Sequence, residues 1–166
     1  MDRAPGTASH RPRGPRRPVH PQFLPSCLAP PPRGPPRWPD VTEAWIGRCT
    51  DRWESDGVSY WMARHRDTGE LIGVGGAQRQ HPGFWNLYYR LVPTHLGKGY
   101  ATEISRAAIR TAGQHDPELP VIAWIHARNT GSRAVAERLG LHDYGLRPEP
   151  GKREPMHAYA DRELTF

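Results

Sequence analysis

Apolar residues along this chain change period several times, and each change marks an element. Trp45, Cys49 and Trp53 recur at helical spacing, with Ala44 and Ile46 beside them. Residues 41–54 are therefore expected as a helix, with Thr42 as its cap and Asp56-Gly57 as its break. Residues 60–65 fit a strand, Asp67-Thr68-Gly69 a turn, and residues 71–77 the returning strand of a hairpin. After a second turn at His81-Pro82-Gly83, residues 84–92 are rich in aromatic and β-branched types and contain no breaker. They are expected as a third strand, closed by Pro93. Ala101, Ile104, Ala108 and Ala112 then share one face of a helix over residues 100–112, stopped by Gly113. The apolar run from Val121 to Ile125 fits a strand over residues 120–126. Asn129 to Ser132 opens a short helix carrying Ala134, Val135 and Leu139, with Gly140 at its C′ position. Two last strands are expected at 143–146 and 156–164. The order is helix, three strands, helix, strand, helix, two strands: an α/β chain in which an antiparallel meander leads into a βαβ unit.

The first 40 residues follow no period. They hold 12 of the 19 prolines, and too few apolar residues to build a core. They are expected as a disordered Pro/Arg-rich tail, with the folded domain over 41–166. Their composition is also what GC-rich DNA gives when translated from a wrong frame or start. A naturally divergent N-terminus is the alternative.

Charge changes the picture only by its location. The net charge of +6 reads at first as a nucleic-acid signal. The first 40 residues, however, hold seven Arg against two acids, and the remainder holds 16 basic against 15 acidic residues. The domain itself is nearly neutral, so nucleic acid is not an expected partner. No run approaches a membrane span, and the traces of export signals at Arg16-Arg17 and Leu24 to Cys27 are broken by prolines. No membrane partner and a cytoplasmic location are expected. Cys27 and Cys49 make no metal spacing and the nine histidines are scattered, so no metal site is expected.

The strongest chemical signal is Gly97-Lys98-Gly99, between a strand and a helix. Glycines there let a ligand approach the backbone, and unpaired N–H groups and the helix dipole favour an anion such as phosphate. A P-loop is excluded because Gly99 and Tyr100 follow Lys98 instead of Ser or Thr. A dinucleotide fingerprint is excluded because position 102 is Thr. The other cluster, Gly73 to Gly76, is expected to be a strand packed closely against a neighbour or a ligand. Trp61, Trp85, Tyr88 and Trp124 are expected mainly in the core. Tyr88 and Tyr89, being adjacent in a strand, must face opposite sides.

Gly97 to Glu103, the strand near residue 121, and Asn129-x-x-Ser132 followed by Gly140-Leu141 occur in one order. Together they resemble the GNAT family of N-acetyltransferases over residues 41–166, most closely the subgroup that acetylates ribosomal-protein N-termini. The family pattern Arg/Gln-x-x-Gly-x-Gly/Ala maps onto residues 94–99, with Thr94 departing at the first position. The resemblance implies a mixed, mainly antiparallel sheet with flanking helices, here without the usual first strand and helix. It implies acetyl-CoA as cosubstrate, its pyrophosphate held by backbone N–H groups of Leu96, Gly97, Lys98, Gly99, Tyr100 and Ala101. The pantetheine arm would pair with the backbone at Leu91 and Val92, the N–H of Val92 serving as oxyanion donor. Asn129 would bind the pantetheine amide or cap its helix, or both. Ser132 would donate to the sulfur or satisfy the backbone. Glu103, His126 or a water relay would serve as base. The implied acceptor is a primary amine, on a small molecule or a protein N-terminus. A CoA-binding remnant without catalysis is the alternative, and a basic-tail binding module a weaker third.

Overall fold

The computed structural model describes residues 38–81 and 83–164, with side chains from Ala44 onward. The expected disordered segment thus lies outside the described residues, except for its last three. Those three are helical: α1 spans Trp38–Asp56, so Thr42 sits within the helix and not at its start. The hairpin of β1 (Tyr60–Arg64) and β2 (Leu71–Gln80) continues into β3 (Phe84–Leu91). A 3-10 turn at Pro93–His95 leads to α2 (Tyr100–His115). Then come β4 (Val121–Ile125), α3 (Thr130–Arg138), β5 (His142–Arg147) and β6 (Met156–Ala160). The six strands form one sheet in the order β1-β2-β3-β4-β6-β5, antiparallel except for β3 beside β4.

Besides the start of α1, three ends differ from expectation by three residues or more. β2 runs on to Gln80 because Gln78, Arg79 and Gln80 stay in register with Asn86, Trp85 and Phe84. Ladder pairing carries the strand past the point where apolar alternation stops. α2 continues through Gly113 to His115. β6 stops at Ala160, and Asp161 instead accepts the Val121 N–H through its carboxylate at 2.9 Å.

Side chains sort by face as strand alternation requires. Trp85 and Leu87 of β3 join Ala108 and Ala112 of α2, Ala136 of α3 and Val121, Ala123 and Ile125 of β4 in the main core. Tyr88 points to the other face, against Tyr60 and beside Cys49, Trp45 and Ile46 of α1 and its surroundings. Tyr89 returns to the α2 side with Ile104 and Tyr100. The glycine cluster in β2 is a packing device. A Cβ on Gly73 would collide with the Arg90 carbonyl, and one on Gly75 would lie 2.5 Å from Ile104 Cγ2. β2 is thereby sandwiched tightly between β3 and α2, and the neighbour is protein, not a ligand.

Candidate active site

The sheet is split at its parallel junction. β3 and β4 pair only at Trp85↔Val121 and Asn86↔Ile122. Beyond that each strand pairs away from the other, β3 with β2 as far as Leu91 and β4 with β6 as far as Ile125. Backbone groups alternate sides along a strand. The Trp85 N–H goes to the Pro120 carbonyl at 2.8 Å, on the β4 side, and the Val92 N–H to the Ile72 carbonyl at 2.9 Å, on the β2 side. The amides of Leu87, Tyr89 and Leu91 therefore aim into the gap. This corrects the expectation for Val92: its N–H is committed within the sheet, and the neighbouring amide directed at the gap is that of Leu91.

At the end of β3 the chain turns into the glycine loop. The Leu96 N–H bonds to the Pro93 carbonyl at 3.2 Å, closing the 3-10 turn. Leu96 is thereby removed from the expected set of phosphate donors, which begins at Gly97. Gly97 has φ +73° and Gly99, the N-cap of α2, φ +86°. Both are left-handed, which turns successive amides outward. The first helical bond runs from Glu103 N–H to the Gly99 carbonyl at 3.1 Å, so Tyr100 and Ala101 have no helical acceptor. Residues 96–99 are exposed, leaving the cradle open to an anion. The loop is anchored by His95, which is buried against Tyr100 with Nε2 3.1 Å from Glu70 Oε1. The charge of Glu103, in the first turn of α2, complements the helix dipole.

α3 presents its N-terminus beside the same gap. Asn129 Oδ1 accepts the Ser132 N–H at 3.1 Å, so the capping role is realised. The Tyr89 hydroxyl donates to the Ser132 carbonyl at 3.4 Å, tying β3 to this first turn. Asn129→Ala is expected to lower unfolding stability by about 1 kcal/mol, whereas Asn129→Asp keeps the cap. If the side-chain amide also binds pantetheine, both variants bind acetyl-CoA more weakly; parallel urea melts and calorimetric titrations separate the two effects.

On the opposite face, where α1 packs, a cavity of about 540 Å³ opens between β3, the end of β4 and the β5–β6 loop. Asn86, Tyr88, Trp124, His126 and Glu149 are among its lining residues. Asn86 Nδ2 donates to the Tyr60 hydroxyl at 2.7 Å, and burial pushes that phenol far above its ordinary pKa. Glu149 has one carboxylate oxygen shut off from solvent with no hydrogen-bond partner. Burial raises its pKa, against the lowering effect of Lys152 and His126. Of the expected base candidates, His126 lies in this cavity and Glu103 is not among its lining residues; Ser132 stands at the α3 end of the gap. Sequence reasoning missed Glu149, which belongs to no motif. Its one signal is a lone carboxylate fixed between Pro148 and Pro150.

A sheet parted beside a glycine-capped helix, with an open cradle on one face and a cavity on the other, marks the acyl-CoA acyltransferase class. The chain belongs to the GNAT acetyltransferase family, whose domain model matches residues 22–142. Acetyl-CoA is the cosubstrate of that family's reaction. A curated relative, the uncharacterized protein YkkB of Bacillus subtilis, is 30% identical over 104 residues, 61% of this chain. The match spans 60% of that relative, less than two thirds of its length. An acetyltransferase structure from Agrobacterium tumefaciens is 27% identical with TM-score 0.65, covering 78% of this chain and 75% of that one. The ribosomal-protein-S5-alanine acetyltransferase of Vibrio fischeri is 18% identical with TM-score 0.62 over 80% and 77% of the two chains, a likeness of fold. No helix among the described residues is long and apolar enough to cross a membrane.

Proposed function

We propose that the chain is an N-acetyltransferase that moves the acetyl group of acetyl-CoA to a primary amine, on a small molecule or a protein N-terminus. The observation that carries this reading is the gap between β3 and β4, which lies between the glycine cradle on the α2 side and the cavity on the α1 side. Bound acetyl-CoA supplies the activated thioester. The amides of Gly97 to Ala101 hold its pyrophosphate, with Lys98 adding positive charge. The Leu91 N–H, aimed into the gap, stabilises negative charge on the carbonyl oxygen as the amine attacks. Asn129 steadies the pantetheine arm, and the Ser132 hydroxyl donates to the departing sulfur. His126 takes a proton from the amine, directly or through one water. An α-amine, with pKa near 8, needs less help than a lysine near 10.4.

The test is thiol release from acetyl-CoA in the presence of amines, polyamines and peptides with free N-termini. Release that depends on one of these acceptors is expected. Tight binding of acetyl-CoA with no amine-dependent release supports a CoA-binding remnant instead.

A further inference from the structure

We infer that Glu149 is the receptor for the acceptor's ammonium group, so that the cavity on the α1 face selects a protonated primary amine. This rests on reading that cavity as the acceptor site. Glu149 lines the cavity, and its buried Oε2 has no hydrogen-bond partner, which is costly for a carboxylate without a donor. The strand side of the wall is neutral or aromatic at Asn86, Tyr88 and Trp124. The Asn86 Nδ2 donates to the Tyr60 hydroxyl. Lys152 and Arg153, from the same loop, are exposed at the rim, as is Glu154. His126, just beyond β4, lines the same cavity and lowers the Glu149 pKa electrostatically. A charge-assisted N⁺–H bond is about twice as strong as a neutral one, which favours an ammonium over an alcohol of the same shape. Pro148 and Pro150 restrict the backbone on either side of Glu149. Once delivered, the ammonium loses one proton to a base, the free amine attacks the thioester carbon, and the C–S bond breaks. The second nitrogen-bound proton is then released and the thiolate is protonated.

The test uses the full chain saturated with CoA at pH 6.5, where an α-amine is protonated. Calorimetry compares n-butylamine with n-butanol, and an Ala-initiated tripeptide amide with its N-acetylated form. At least one cationic probe is expected to bind tenfold or more tightly than its neutral partner. Glu149→Gln is expected to abolish that preference while leaving CoA affinity unchanged. Preference confined to the peptide pair indicates a protein N-terminus; preference in both pairs indicates a small amine. Equal binding of charged and neutral probes, no binding of any probe, or a preference that survives Glu149→Gln would overturn the inference. Failure of CoA itself to bind counts against the cofactor reading, and the same probe titrations without CoA then decide on Glu149 separately.

Discussion

Gly97→Val and Gly99→Val are each expected to weaken acetyl-CoA binding by about 10- to 100-fold in a chain that still folds. Both glycines are left-handed, at φ +73° and +86°. A β-branched residue is strained there by about 1–3 kcal/mol, and each 1.4 kcal/mol is a factor of ten in affinity. The loop has a cheaper response than holding the strain. It flips to negative φ, which turns the amides of residues 97–101 away from the phosphates. No clash need drive this, since a Cβ at Gly97 meets nothing within 4 Å; conformation alone does. Gly145→Val is the matched control: it is equally left-handed at φ +72° and has open space, but lies in β5 at the sheet edge. It is expected to cost stability and leave cofactor affinity intact. Unchanged affinity in both loop variants would remove the phosphate cradle from the site.

Gly73→Val is expected to have the largest effect on stability, about 3 kcal/mol or more by urea unfolding. Its Cβ would meet the Arg90 carbonyl and the Leu91 Cα across the β2–β3 ladder, and backbone atoms cannot swing aside as a side-chain tip can. The strands would have to separate where the Leu91 amide is positioned, so residual folded protein should also lose turnover. Gly113→Ala provides the contrast. It lies inside α2 with nothing within 4 Å, and is expected to raise stability by about 0.5–1 kcal/mol.

Where local pattern and tertiary packing agree, the sequence is legible. The hairpin partner over Leu71–Ala77, the Ala101-Ile104-Ala108 face of α2 and the run from Val121 to Ile125 all carry the pattern of the element they form. The opposite facings of Tyr88 and Tyr89 follow from adjacency alone. What escapes is whatever depends on hydrogen-bond partners distant in sequence. Val92 looked available because nothing in its neighbours records that Ile72 takes its N–H. Leu96 looked like a cradle donor because a 3-10 turn after Pro93 cannot be told from an open loop by composition. Glu149 is invisible for a stronger reason: its significance comes from a cavity assembled by β3, β4 and a loop more than 20 residues further along. For Asn129 the sequence allows cap and ligand together, and the structure realises the cap.

The most direct measurement is the mass of the acceptor after incubation with the full chain and acetyl-CoA. A panel holding free-N-terminus peptides, a lysine peptide with blocked N-terminus, spermidine and an amino sugar covers the amine classes. The expected result is one acetyl group on the nitrogen of at least one of them, formed in equal amount with free CoA thiol. Saturable binding of acetyl-CoA with no acetylated product and no thiol from any amine would contradict an N-acetyltransferase.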